Sequence, residues 1–146
     1  MIDTNVALDY ILQRSNFDDA KAVIDLAIND EEIECVTATT ITDIHYEIAK
    51  YRETADSPKK YTSYDAQNLL AGFLNFVEIL GVNDVIINKA LQLRWKDFED
   101  AVQYVTALEN GVDCIITNNV KDYADSTIEV LTPKEFCQKY GPKGSH

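Results

Sequence analysis

Short β-branched runs alternate with longer amphipathic stretches along this chain, and that alternation limits the fold more than any single residue does. Apolar residues recurring every three or four positions mark helices, and compact β-branched runs mark strands. VDCIIT (112–117) is the strongest strand, joined by IECVTA (33–38), VEIL (77–80) and IEVL (128–131). Residues 2–5 can form only a short strand. The intervening helices are Val6 to Gln13, FDDAKAVIDLAIND after Asn16, ITDIHYEIAKYRE after Thr39 or Thr40, YDAQNLLAGFLNF after Ser63, VIINKALQLR from Asn83, and FEDAVQYVTALEN from Asp97. That last helix stops at Gly111, in the position just past a helix end where glycine is favoured. TADSPKK (54–60) is polar, holds a proline and reads as a loop. Thr132-Pro133-Lys134-Glu135 is a capping box with proline at the first helical position. The order β-αα-β-αα-β-αα-β-β-α predicts the α/β class: a three-layer α/β/α sandwich with a central, mostly parallel sheet.

At 146 residues the chain is expected to form one domain over 1–140, with 141–146 as a tail. The closing GSH resembles the start of an expression-tag linker, so His146 is set aside. No apolar run approaches the ~20 residues of a membrane span, so no membrane partner is expected. The start lacks the basic and long apolar segments of a signal peptide. Cys35, Cys114 and Cys137 are odd in number and fall in no metal-binding spacing, which points to a reducing, cytoplasmic setting without disulfide or zinc. The net charge is −12, from 13 basic and 25 acidic residues. That balance argues against strong nonspecific nucleic-acid binding and for a basic protein partner or bound cations.

The acids are placed suggestively. Asp3 ends the first strand, Asp43 lies in the first turn of the third helix, and Asp97 and Asp100 lie in the first turn of the sixth. Asn118, Asn119 and Asp122 follow the strand at 112–117. In a parallel sheet, strand C-termini and the helix N-termini that follow share the ligand-binding edge. Crowded carboxylates there raise one another's pKa values or recruit a cation, and an all-oxygen set suits Mg²⁺ or Mn²⁺. Each acid taken singly also fits a helix cap, Asp97 best of all. His45 reads as a surface helix residue, since a lone histidine lacks an orienting partner. Lys50, Arg52, Lys59 and Lys60 lie among Tyr46, Tyr51, Tyr61 and Tyr64; they read as a solvated helix end, or else as a single-stranded RNA surface.

IDTNVALDYIL, TATTITDIHY and DFEDAVQYVTALENGVDCIITNNVKDY together resemble the PIN-domain family, in order and over about residues 1–131. The likeness is to the PIN toxins of bacterial toxin–antitoxin pairs and their relatives. The resemblance implies a parallel α/β/α sandwich and a Mg²⁺-dependent endoribonuclease. Its first acid falls on Asp3, its second on Asp43, its third on Asp100, and a fourth, more variable one on Asp122. Thr4 and Asn5 match the groups that support the first acid, and Asn118 or Asn119 would orient a bound water. Glu47, one turn past Asp43, would stand behind the metal ligands. Asp43 stands where the family usually has glutamate, and Asn118 where it often has a basic residue. The implied partners are an RNA substrate, an antitoxin that lays an apolar segment between the early helices, and a second copy in a homodimer.

Two other readings compete. A noncatalytic PIN-like interaction module would keep the acids only as caps. An aspartyl phosphatase would need a second acid two residues after the first, and Asp3-Thr4-Asn5 lacks it.

Overall fold

The computed structural model describes residues 1–51 and 60–142. Arg52, residues 54–59 of the expected loop, and tail residues 143–146 lie outside the described residues. The elements are α1 (Thr4–Ile11), α2 (Phe17–Ile28), β1 (Cys35–Thr37), α3 (Ala38–Lys50), α4 (Ser63–Phe73), β2 (Glu78–Leu80), α5 (Asp84–Leu93), α6 (Phe98–Glu109), β3 (Cys114–Ile116), β4 (Glu129–Leu131) and α7 (Pro133–Tyr140), with a 3-10 turn at Val120–Tyr123. Order and types match the sequence pattern.

Two parallel strand pairs are joined by the N-terminal segment. Val36 of β1 faces Ile79 of β2, and Ile115 of β3 faces Val130 of β4. Residues 1–3 run between the pairs. The Ile2 amide donates to the Cys35 carbonyl at 2.8 Å, and the Asp3 amide to that of Ile116 at 2.9 Å. The Ile116 amide donates back to the Met1 carbonyl at 2.8 Å. The expected first strand is thus reduced to one parallel bridge, Ile2 to Ile116, at the centre of the order β2-β1-(1–3)-β3-β4.

Side-chain alternation along these strands builds the layers. Ile2, Val36 and Ile116 pack into a core with Val6, Ala20, Val23, Ile44, Ile48, Leu70 and Phe136, from α1–α4 and α7. Met1, Cys35 and Ile115 point to the other face, against Tyr104 and Ala107 of α6. A third cluster fastens α5 to α6 through Ile86, Ala90, Ala101, Val102 and Val105. Helices therefore cover both faces, as a buried parallel sheet requires. Among the described residues no helix is long and apolar enough to cross a membrane.

Helix caps move some of the expected boundaries. The Thr37 side chain accepts from the Thr40 amide at 3.2 Å, so α3 starts at Ala38, inside the run read as strand. Asp43 consequently sits in the second turn of α3 and not the first. Thr62, rather than Ser63, caps α4, in a reciprocal box with Asp65. Asn16 makes no side-chain cap bond, whereas Asn83, Asp97 and Thr132 cap as expected. Gly111 adopts φ +64°, a left-handed conformation that disfavours any side chain.

Glu34, at the entry to β1, is only 3% exposed and neither carboxyl oxygen has a hydrogen-bond partner. Burial pushes its pKa from 4.5 up to about 8. The folded state therefore holds this proton more tightly than the unfolded chain. The associated stability is complete below about pH 4.5 and is lost as pH rises towards 8. Denaturant titrations should find a stability loss on going from pH 5 to pH 8, and Glu34→Gln should remove roughly 2–4 kcal/mol of that loss. A variant with the parent's full pH slope would contradict this assignment.

Candidate active site

Asp3 leaves the central segment as the N-cap of α1 and is 4% exposed. Its carboxylate is fully engaged. Oδ1 accepts from the Thr4 amide at 2.7 Å and from Gln103 Nε2 at 2.9 Å. Oδ2 accepts from Thr117 Oγ1 at 2.7 Å and from Asn5 Nδ2 at 3.3 Å. A carboxylate offers about four acceptor positions, and here four donors from α1, α6 and the end of β3 occupy them. Asp3 is both a helix cap and the centre of a buried polar network.

Around Asp3 opens a cleft lined by Asp43 and Glu47 of α3, Asp97, Glu99 and Asp100 at the start of α6, and Asn119 and Asp122 after β3. Thr4 and Asn5 line it too. Parallel β1 and β3 both end at this edge, which brings together residues up to about a hundred positions apart. Asp97 is committed as the cap of α6, accepting from the Asp100 amide at 3.0 Å. Asp100 is 7% exposed and accepts from the buried Tyr123 hydroxyl at 3.1 Å. Burial, reinforced by the charges of Asp3 and Asp97, raises its pKa to about 7. Glu99 accepts from Thr4 Oγ1 at 2.8 Å, and burial followed by the charges of Asp43 and Asp3 brings it to about 7 as well. At neutral pH this cleft therefore carries protons that ordinary carboxylates would have lost.

A second network braces the rim. Buried Asp9 pairs with Arg14 at 2.8 Å and accepts from Asn118 Nδ2 at 2.7 Å. The Asn118 amide donates to Asn5 Oδ1 at 3.3 Å. The Asn118 side chain is thus committed to Asp9, while Asn119 faces the cleft. Arg14 is the cleft's basic lining residue, and its Nε is held by Asp9.

The arrangement is open. Among the described residues no three of His, Cys, Asp or Glu stand together as ready ligands for one ion. Like charges keep apart, and the Asp3 oxygens already have their donors. An open, all-oxygen rim still fits Mg²⁺, which keeps several waters and takes only one or two carboxylates. It fits zinc poorly, because among the described residues no histidine or thiol faces the cleft. His45 lies away from it, near Ser63 with Nε2 at 3.2 Å from the Ser63 hydroxyl.

Sequence reasoning passed over Glu99, Gln103, Thr117, Asp9 and Arg14. Gln103 had a signal, as the residue three past Asp100 on the same helix face. It is fully buried among apolar neighbours, where only a polar partner can satisfy it. Glu99 and Thr117 had none, since each is explained only by a partner roughly a hundred positions away.

A parallel α/β/α sandwich with an acid-lined cleft beyond the strand C-termini is the architecture of a ligand-binding domain. A PIN domain model matches residues 1–121, and the chain belongs to the PIN-domain family. It is similar to Ribonuclease VapC1 of Aquifex aeolicus (strain VF5), at 28% identity over 145 residues, covering 95% of this chain and 93% of that protein. Among solved structures it resembles a toxin–antitoxin complex from Klebsiella pneumoniae, with TM-score 0.63, 22% identity, 90% of this chain and 95% of the other. It also resembles VapBC2 from Rickettsia felis bound to a DNA fragment from its promoter, with TM-score 0.62, 17% identity and the same coverage. At these identities the structural likenesses bear on the fold alone.

Removing a donor from Asp3 leaves a buried carboxylate under-satisfied. Thr117→Val and Gln103→Leu should each cost about 1–3 kcal/mol in urea unfolding at pH 7. Unchanged midpoints would mean that the network does not hold Asp3 in place.

Proposed function

We propose that this protein is a Mg²⁺- or Mn²⁺-dependent endoribonuclease and acts as the toxin of a bacterial toxin–antitoxin pair. The observation that carries the reading is the convergence of carboxylates from four stretches of chain on one cleft, with Glu99 and Asp100 driven to about pH 7. Family membership and the VapC1 ribonuclease relative support the same chemistry.

Asp3, Asp43 and Asp100, with Asp122 across the cleft, are the residues that would hold the ion. A bound divalent ion lowers the pKa of a coordinated water and neutralises charge on the scissile phosphate. The chain's own part is positional. Asp3, fixed by Thr4, Asn5, Gln103 and Thr117, anchors the cleft floor. Asn119 orients the attacking water, and Glu47 stands behind Asp43. Asp100 would have to lose its proton to solvent to hold the ion, and Glu99 beside it shares the raised pKa. Asp122, exposed on the 3-10 turn, would complete the set that holds the ion.

The toxin reading brings a protein partner. Tyr10, Ile11, Phe17, Leu69, Phe73 and Phe76 line an apolar groove between α1, α2 and α4, suited to an antitoxin's apolar segment. Pairing with a second copy belongs to the same proposal, as does a reducing, cytoplasmic setting for the three free thiols. The alternative, a noncatalytic interaction module, draws on the open spacing of the carboxylates.

With single-stranded RNA and Mg²⁺, Asp3→Asn and Asp100→Asn should each lower cleavage at least 100-fold, and EDTA should abolish it. Activity surviving both substitutions and chelation would reject this metal-dependent site, and a folded parent that cleaves no RNA would leave the interaction module. The wild-type rate should climb between pH 6 and pH 8, because Asp100 must ionise to hold a cation and Glu99 beside it loses its proton over the same range. A rate that falls over that range would contradict the roles given to Glu99 and Asp100.

A further inference from the structure

Basic side chains are scarce here, and most are already used. Among the described residues Arg14, Lys21, Lys50, Lys89 and Lys139 are ion-paired. Lys60, Arg94, Lys96, Lys121 and Lys134 are the described basic residues outside those pairs. Three of these five, Arg94, Lys96 and Lys121, line a single depression of about 600 Å³. Asp97, Asp122 and Asp125 line the same depression, yet none of the described ion pairs joins them to these three cations, whose charged ends stay available to an outside anion.

The depression abuts the acidic cleft. Asp97 and Asp122 line both. Its basic rim is built on short, well-anchored backbone. Arg94 caps the end of α5 in a left-handed conformation, φ +56°, uncommon for a side chain of this size. Asp97 starts α6 three residues later. Lys121 lies on the 3-10 turn opposite. Trp95 lies between the two cations and stacks on Tyr104, with centroids 4.8 Å apart, and meets Tyr123 edge-on at 6.0 Å. Tyr123 in turn donates to Asp100. Phe98, 43% exposed, lines an adjoining hollow with Arg94 and Trp95. Arg94, Trp95, Lys96 and Phe98 thus alternate cation and ring in the manner of single-strand nucleic-acid grooves.

The geometry points to this depression as the track for the RNA strand flanking the scissile phosphate: Arg94, Lys96 and Lys121 take backbone phosphates, Phe98 offers an exposed ring to a base, and Trp95, packed against the core, holds the rim in place. This inference rests on the ribonuclease reading and extends it to the path of the substrate. It moves the RNA surface away from the Lys50 region. Lys50 is paired with Glu47 at 3.3 Å and lies 4.9 Å from the Tyr46 ring centroid. It also explains how a chain of net charge −12 engages a polyanion. Arg94, Lys96 and Lys121 stand beside the acidic centre and not within it, so that a strand is held next to the cleft rather than across it.

The test is fluorescence anisotropy with a 5′-fluorescein, 20-nucleotide single-stranded RNA in the Asp100→Asn background, where cleavage is blocked. Lys96→Ala/Lys121→Ala should weaken binding at least 10-fold and lower the slope of log K against log salt by about 1.4, at roughly 0.7 for each phosphate no longer neutralised. The control pair Lys60→Ala/Lys134→Ala should leave both unchanged, which also guards against a general charge effect. Circular dichroism melts report whether each variant is folded, and Lys96→Gln/Lys121→Gln replaces any that is not. Equal losses in both pairs, or no loss at the depression while the parent binds RNA, would overturn the track and leave the ribonuclease reading intact. If the parent neither binds nor cleaves RNA, both fall together. Unchanged RNA affinity with lost affinity for a polyglutamate peptide would assign the depression to an acidic protein, against the proposal.

Discussion

A carboxylate buried at the centre of a sheet is tolerable only if donors surround it, and Asp3 meets that condition with four. The donors come from α1, from α6 and from the residue that closes β3, so one side chain ties three parts of the fold to a single point. An unpaired buried charge would cost several kcal/mol, enough to threaten a domain of ordinary stability. The start of α1, the face of α6 and the end of β3 are therefore fixed relative to one another by electrostatics as well as by packing. The cleft is the space these three leave open.

Charge is distributed unevenly around that point. Carboxylates collect on the cleft, and two of them hold their protons up to about neutral pH because burial and neighbouring charge disfavour ionisation. Arg14 does not neutralise them freely, since Asp9 already claims its Nε. Other cations stand to one side, around Trp95. The site thus stores an unmet demand for positive charge at its centre and offers positive charge at its flank. That division suits a substrate that is itself an anion and a cofactor that is itself a cation.

Much of the fold was legible in the sequence because it rests on local signals. β-branched runs, capping residues and Gly111 give the element order, whereas the assignment of side chains to the two faces of the sheet comes from the fold, since 35–37 and 114–116 are buried throughout. Boundaries slipped where a cap competed with a strand, as Thr37 did for IECVTA, and where two capping residues stood side by side, as at Thr62 and Ser63. The first strand shrank to a bridge, since Asp3 leaves it to cap α1. At the site, the acids could be singled out one by one from their positions after strands and before helices. Their partners could not. Thr117 and Gln103 are ordinary residues until the fold brings them to Asp3, and Glu99 owes its altered pKa to a burial and to neighbours, Asp43 and Asp3, that only the fold supplies.

The central claim is that this cleft takes a divalent cation. Isothermal titration calorimetry with Mn²⁺ at pH 8 addresses it without reference to any substrate. The account predicts saturable heat at millimolar or lower Mn²⁺, strongly diminished in Asp100→Asn protein and weaker at pH 6, where the raised carboxyls retain their protons. A folded wild-type protein that takes up no Mn²⁺ or Mg²⁺ at millimolar concentration would contradict it.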